Sequence, residues 1–322
     1  MARILTGTQS SGRQHLGNIL GAIKPAIELS KDPKNESFLF IADLHSLISI
    51  KDGKLISENT HATASAWLAM GLDTEKTVFY RQSDVTEVCE LAWILNCFTP
   101  FPMLENAHSF KDKSSNLADV NAGLFTYPVL MAADILIYDA NIVPVGKDQK
   151  QHLEMARDIA GAFNHKYPGT FVLPESRISE EVMTIPGIDG RKMSKSYNNY
   201  IDMFLPEKDL RKKVMSIVTD TKSVEETKDP DSCVVYQIYA LLATEGERLA
   251  MDQNFKNGNY GYGTAKQELF EKIMSEFSTE REKFNFYISN PDSVNHELKK
   301  GAAKAKDISG SVLQRVRSKL HY

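Results

Sequence analysis

What most constrains this chain is an alternation that runs through its first half. Short apolar runs at Ile4-Leu5, Phe38 to Ala42, Val78 to Tyr80 and Ile142 to Val145 are separated by stretches of helical spacing. Ile19, Ile23 and Ile27 recur at helical intervals after the first run, and a helix is expected from about Ser57 to Leu68, stopped by Gly71. Asp84-x-x-Glu87 reads as a capping box opening a helix that carries Trp93 and Cys97. A strand that is apolar at every position, as Phe38-Leu39-Phe40-Ile41-Ala42 is, must be covered on both faces. The order βαβαβα therefore predicts an α/β fold with a doubly wound parallel Rossmann sheet, which binds ligands beyond the carboxyl ends of its strands. From Pro206 the pattern changes to helices alone, through Val214, Tyr236 to Leu242 and Phe270 to Phe286. A smaller all-α C-terminal domain is expected there, with boundaries at 1–203 and 204–322. Gly258 to Gly263 follows no strand and reads as a turn between helices.

The 322 residues carry 38 Lys and Arg against 42 Asp and Glu, a net charge of −4, which excludes a uniformly basic nucleic-acid coat and leaves RNA to be met by local patches. One such patch is the tail, where Lys299, Lys300, Lys304, Lys306, Arg315, Arg317 and Lys319 face only Asp307. It reads equally as a solvated helix face or as a contact for an RNA backbone. Cys89, Cys97 and Cys233 lack the spacing of a disulfide framework or a zinc site and read as buried free thiols. No apolar run reaches membrane-spanning length and none opens the chain as a signal segment, so a cytoplasmic location is expected.

The first strand runs into Gly7-Thr8-Gln9-Ser10-Ser11-Gly12, and His15-Leu16-Gly17-Asn18 opens the helix that follows. Glycines let backbone N–H groups approach a phosphate, and a helix N-terminus adds free donors and partial positive charge. A Walker A loop fails here, because Arg13-Gln14 stand where Lys and Ser or Thr are required. A second loop, Lys192-Met193-Ser194-Lys195-Ser196, lies between the turn residues Asp189-Gly190 and Asn198-Asn199. Two lysines on a mobile loop suit the separating oxygens of a phosphoryl transfer. Lys111-Asp112-Lys113-Ser114 is a third basic stretch, more ordinary in composition.

Thr126 to Tyr138 is apolar on nearly all sides and reads as a buried helix with Pro128 in its first turn. Asp134 stands in its middle with no basic residue at i±3 or i±4. A buried carboxylate needs a partner. That partner is either a distant side chain or backbone group, or a donor on the substrate such as an indole N–H. His45 and Gly146-x-Asp148 fall at the carboxyl ends of their strands, the ligand edge of such a sheet: His45 reads either as a site residue or as a hydrogen-bonded structural histidine, and Asp148 can accept from ribose hydroxyls.

Paired, His15-Leu16-Gly17-Asn18 and Lys192 to Ser196 resemble the HIGH and KMSKS signatures of class I aminoacyl-tRNA synthetases. Together with Gly7-x-Gln9-x-Ser11-Gly12, Tyr127 to Asp134 and Val143 to Gln149, they resemble the bacterial-type tryptophanyl-tRNA synthetase family over nearly the whole chain. The resemblance implies a Rossmann catalytic domain with a helical anticodon-binding domain, a homodimer, ATP with Mg2+ as cosubstrate, no resident metal, and L-tryptophan and tRNA(Trp) as partners. It implies catalytic roles for His15, Asn18, Lys192 and Lys195. ATP contacts are implied at Gln9, Ser10, Ser11, Gly17, Asn18, Gly146, Lys147, Asp148 and Val182, and along Lys192, Met193, Ser194, Lys195 and Ser196. Asp134 is implied to hold the indole N–H, with Tyr127, Gln149 and His45 near the amino acid and Met131, Val143 and Val145 near its ring. Leu5 departs from an aromatic residue common beside the pocket, Lys147 from an acid, and Ser10 from a proline. The rival readings are a tyrosyl-tRNA synthetase, a small-molecule adenylyltransferase and a synthetase-like RNA-binding regulatory protein.

Overall fold

A computed structural model describes residues 1–107, 110, 120–146, 149–178 and 184–322. Lys111 to Ser114, Lys147, Asp148 and Val182 lie outside the described residues. The α/β part opens with β1 (Ala2–Gln9), α1 (Leu16–Asn18) and α2 (Lys24–Ser30), the two short helices being joined by a π turn at Ile19–Ile23. It continues through β2 (Asn35–Ala42), α3 (Asp43–Ser46), α4 (Gly53–Ala69), β3 (Thr77–Arg81), α5 (Glu87–Asn96), α6 (Phe101–Glu105), α7 (Ala122–Leu136), β4 (Ile142–Val145), α8 (Lys150–Lys166) and β5 (Glu175–Ile178). The five strands are parallel in the order β3-β2-β1-β4-β5. The order reverses between β1 and β4, which makes the crevice at their carboxyl ends the ligand site of such a sheet.

The continuous apolar run of β2 is explained by two cores. Leu39 and Ile41, with Phe79 of β3, face Ile19, Ile23 and Trp67 on one side. Phe38 and Phe40, with Val78 and Tyr80, face Leu91 and Leu95 of α5, Val129 and Ala133 of α7 and Phe163 of α8 on the other. A period-two strand buried on both faces can only be apolar throughout.

Several local expectations are corrected. α4 begins at Gly53, earlier than the pattern suggested, because the Asp52 carboxylate caps it by accepting from Lys54 N and Leu55 N. Pro128 lies inside α7, since Asn121 starts the helix by accepting from Leu124 N. Asp84 makes no capping box: its carboxylate takes the Arg81 Nε–H at 3.1 Å instead, and α5 starts without a side-chain cap. β5 is an added strand whose short, mixed sequence carries no period. Cys89 and Cys97 are exposed, not buried, because they face outward from the first and last turns of α5; Cys233 is buried.

The helical part comprises α9 (Glu207–Met215), α10 (Val234–Ala240), α11 (Glu245–Asn257), α12 (Tyr262–Glu276), α13 (Ser278–Ser289) and α14 (Pro291–Leu320). Gly258, at φ 76°, turns the chain between α11 and α12. Leu210, Phe255, Leu269, Phe284 and Leu298 join the same buried cluster as Ile19 and Trp67. α14 then returns along the sheet edge, where Ala305, Val312 and Val316 join the other core. A Cβ on Gly301 would fall 1.8 Å from the Phe79 carbonyl oxygen, so only glycine lets the helix backbone meet β3 here. The edge strand is thereby covered. Three of the tail cations are spent on this seat: Lys300 pairs with Glu75, Arg315 with Asp139 at 2.5 Å, and Arg317 with Glu90 at 2.5 Å. Lys299, Lys304, Lys306 and Lys319 remain exposed. Among the described residues no helix is long and apolar enough to cross a membrane.

Candidate active site

β1 delivers Gln9 to the crevice, and the loop after it leads into α1 through His15. His15 caps the helix reciprocally: its Nδ1 accepts from Asn18 N at 3.2 Å, while Asn18 Oδ1 accepts from His15 N at 3.2 Å. Because Nδ1 is an acceptor, the ring proton sits on Nε2, which becomes the donor. Burial, helped by the nearby Lys195 charge, lowers the His15 pKa to about 4, so the ring is neutral near pH 7. Asn18 spends its carbonyl oxygen on the cap and keeps its amide NH2 as donor. Gly17 leaves room for this ring, since a Cβ there would meet the imidazole at 3.0 Å. Ser11 is exposed at the loop tip. The Ser10 hydroxyl, by contrast, lies buried against Ser46 Oγ at 3.0 Å and accepts from Thr60 Oγ1 at 3.2 Å, so only its backbone is left for a ligand.

The lysine loop is docked on this stretch. Its base is closed by Gly187 N donating to Arg191 O and Met193 N to Ile185 O. Inside the turn, Asn199 accepts from Ser194 N at 2.8 Å and donates to Lys192 O at 3.1 Å and Asp189 Oδ1 at 2.7 Å. Met193 is buried with its sulfur 3.3 Å from Gly17 N, which donates to it. Lys195 Nζ donates to the Gly12 carbonyl at 2.8 Å, and burial brings its pKa down to about 8. Lys192 and Ser196 face solvent. The two signature stretches, 176 residues apart at Gly17 and Met193, are thus in contact.

Beside them, between β1, β2, β4 and α7, lies a cavity of about 370 Å³. It is lined by His45, Tyr127, Met131, Asp134, Val143, Val145 and Gln149, all seven residues expected near the amino acid, together with Gln9 and Gly146 from the nucleotide side. Leu5 also lines it, and the aromatic wall comes from Phe40, whose ring occupies the space a Cβ on Gly7 would need. Two larger clefts, of about 480 Å³ against Phe286 and about 410 Å³ against Arg317, hold none of these groups.

Asp134 is buried at the cavity wall, and its partners are distant in sequence. His45 Nε2 donates to Oδ2 at 2.8 Å, and Gln82 Nε2 donates to Oδ1 at 2.8 Å and Oδ2 at 2.9 Å. Burial raises the Asp134 pKa and these donors oppose the rise, His45 most. A carboxylate has about four acceptor sites, so one position at Oδ1 stays available to a donor in the cavity. Gln82 is the residue sequence reasoning missed. Its carbonyl end accepts from Leu44 N at 3.1 Å and His45 N at 3.4 Å, which fixes the amide NH2 toward Asp134. Asp43, also buried, accepts from Ser83 N at 3.0 Å and braces the same turn. Tyr127 lies with its hydroxyl 2.7 Å from His152 Nε2, another unanticipated neighbour. The one signal for Gln82 was its place just past the end of β3. Among the described residues no cluster of His, Cys, Asp and Glu could hold a metal ion.

A Rossmann sheet whose switch point joins a histidine-capped helix to a docked lysine loop defines a class I aminoacyl-tRNA synthetase. The family model for class I tRNA synthetases (W and Y) matches residues 1–278, and the chain belongs to this family. It is 45% identical over 318 residues to the tryptophan-tRNA ligase of Campylobacter jejuni strain RM1221, covering 99% of each chain. To the tryptophan-tRNA ligase of Xanthomonas axonopodis pv. citri it is 48% identical, over 94% of this chain and 72% of that one. Its fold matches the crystal structure of the Campylobacter jejuni tryptophanyl-tRNA synthetase complexed with ADP and tryptophan at a TM-score of 0.96, with 45% identity, covering 99% of this chain and 100% of that one.

Proposed function

We infer that the chain is a tryptophan-tRNA ligase that activates L-tryptophan with ATP and transfers it to the 3′ end of tRNA(Trp). The observation that carries this reading is that Gln9 and Gly146 line the same cavity as Asp134, while Lys195 is bonded to Gly12 of the loop that follows Gln9. The tryptophan carboxylate attacks the α-phosphorus of ATP, a new P–O bond forms, and the bond to the bridging oxygen breaks to release pyrophosphate. The carboxylate is already a nucleophile, so no general base is needed, only in-line placement and stabilisation of charge moving onto pyrophosphate. The neutral His15 donates from Nε2 to a phosphate oxygen, Asn18 donates from its amide, and Lys195 leaves the Gly12 carbonyl to follow the departing oxygens. Lys192 supplies a second positive charge from the loop surface. ATP enters as its Mg2+ complex, and the family resemblance assigns Gly146, Lys147, Asp148 and Val182 to its contacts. In the second step a terminal ribose hydroxyl of the tRNA attacks the acyl carbon and AMP leaves. Asp134 selects the indole N–H.

Residues 204–322 serve as the anticodon-binding part in this reading, with the exposed tail lysines offered to the RNA backbone. The enzyme works in the cytoplasm as a homodimer. Trp93, 71% exposed, lies on one face of α5 with Cys89 and Cys97, and Phe101, 63% exposed, follows on α6, an apolar surface suited to a second copy. ATP–pyrophosphate exchange with each of the twenty amino acids tests the central reading: exchange dependent on tryptophan supports it, and dependence on tyrosine or on none overturns it.

A further inference from the structure

The loop after β1 and the segment after the lysine loop are bonded to each other at successive positions. Lys195 Nζ donates to Gly12 O at 2.8 Å, and Leu16 N donates to Ile201 O at 2.8 Å. Between these, Arg13 Nε meets Asp202 Oδ2 at 2.8 Å and Arg13 Nη2 donates to Phe204 O at 3.1 Å. Asp202 is 3% exposed, with Phe204 N donating to its Oδ1 at 2.8 Å. A carboxylate so buried requires its cation. α13 closes the arrangement from a third side. Its Phe284 ring stacks on Phe204 at 4.0 Å and lies 5.2 Å below the Arg13 guanidinium, and its Arg281 donates to the carbonyls of Met203 and Leu205. Arg13 is the residue that excludes a Walker A loop, and it is spent on a carboxylate seven residues beyond Lys195. Among the described residues, Lys195 and Arg281 also face Asp202 with their charges.

We propose that Arg13 and Asp202 are positioning residues for the activation step, a latch that holds the lysine-bearing loop on the nucleotide loop with α13 as its backing, so that Lys195 starts from one defined seat. The proposal rests on the reading of Lys195 given above. Neither latch residue lines the amino-acid cavity, so loosening it acts on the transition state and not on tryptophan binding.

The test is a double-mutant cycle on tryptophan-dependent pyrophosphate exchange. Arg13→Ala is expected to lower kcat by about tenfold, a coupling typical of residues one layer from a reacting group, while the KM for tryptophan stays within about twofold. In a Lys195→Ala background, Arg13→Ala is expected to cost nothing further, since the lysine it positions is gone. Asp202→Asn, which keeps the shape of the side chain, is expected to repeat both results. Equal losses in the two backgrounds, an unchanged kcat in Arg13→Ala, or loss of the folded state by thermal melting in both Arg13→Ala and Asp202→Asn would each overturn the latch. A Lys195→Ala enzyme with normal kcat would instead overturn the reading of Lys195, which is a separate result.

Discussion

At the scale of single residues, Gln82 is where the site is most exposed to test. It is a two-ended clamp: backbone N–H groups hold its carbonyl, and its amide feeds both oxygens of Asp134. Gln82→Glu keeps the shape and the acceptor end but sets a carboxylate against Asp134. Two such carboxylates retain one proton between them. With that proton the new acid still donates to Asp134, and without it the two repel. The ratio of kcat/KM for tryptophan, variant over parent, is therefore expected to fall as pH rises; a ratio flat with pH would show that Gln82 does not govern Asp134. Lys195 gives a second pH dependence. Its pKa near 8 means the charged form is lost above that pH, so kcat/KM for ATP, which reports the free enzyme, is expected to decline above about pH 8, and Lys195→Arg to abolish that decline. His15, neutral down to about pH 4, contributes no acid limb above pH 5. These residues differ in how visible they were. His15, Asn18 and Lys195 belong to short local motifs, and Asp134 stood out as a charge in an apolar helix. Gln82 meets its partners 37 to 52 residues away, through a fold that periodicity does not specify at side-chain level.

Among the elements, helices and strands with a strong period were legible and their ends were not. β2 could be read because burial on both faces leaves an uninterrupted apolar run. β5 could not, because four residues at a sheet edge carry no period. Asp84 matched a capping pattern and was claimed by Arg81, a competition that sequence spacing does not reveal. α14 supplies a paired prediction of opposite sign. Alanine favours a helix over glycine by about 1 kcal/mol, so Gly310→Ala, with nothing within 4 Å of the added Cβ, is expected to stabilise the protein by about 0.5–1 kcal/mol. At Gly301 the same change drives a methyl into the Phe79 carbonyl, and overpacking of this kind costs about 1–3 kcal/mol, which outweighs the propensity gain. Urea unfolding of both variants measures the difference. Stabilisation by Gly301→Ala would mean that the helix does not meet β3 so closely.

For the whole molecule, the division at residues 203 and 204 separates a sheet from a set of helices but does not separate two cores. The cluster that contains Ile19 and Trp67 also contains Met203, Leu210, Phe255, Phe284 and Leu298, and α14 adds Ala305, Val312 and Val316 to the opposite side of the sheet. Composition could mark where strands stop; it could not mark that the last helix returns to cover β3, because that contact depends on one glycine and on ion pairs to Glu75, Glu90 and Asp139. A fragment of residues 1–203 would uncover the faces of α4 and β3 on which α13 and α14 pack and leave the β3 edge open. Each large apolar side chain returned to water costs about 1.5–3 kcal/mol, and a handful of them exceeds the about 5–15 kcal/mol by which a folded chain is stable. The fragment is therefore expected to lack a cooperative thermal transition and to aggregate, whereas the full chain melts as one unit. Two resolved calorimetric transitions in the full chain, with a soluble, cooperatively folded fragment 1–203, would establish independent domains and require α14 to be an accessory to the sheet, not a part of its core.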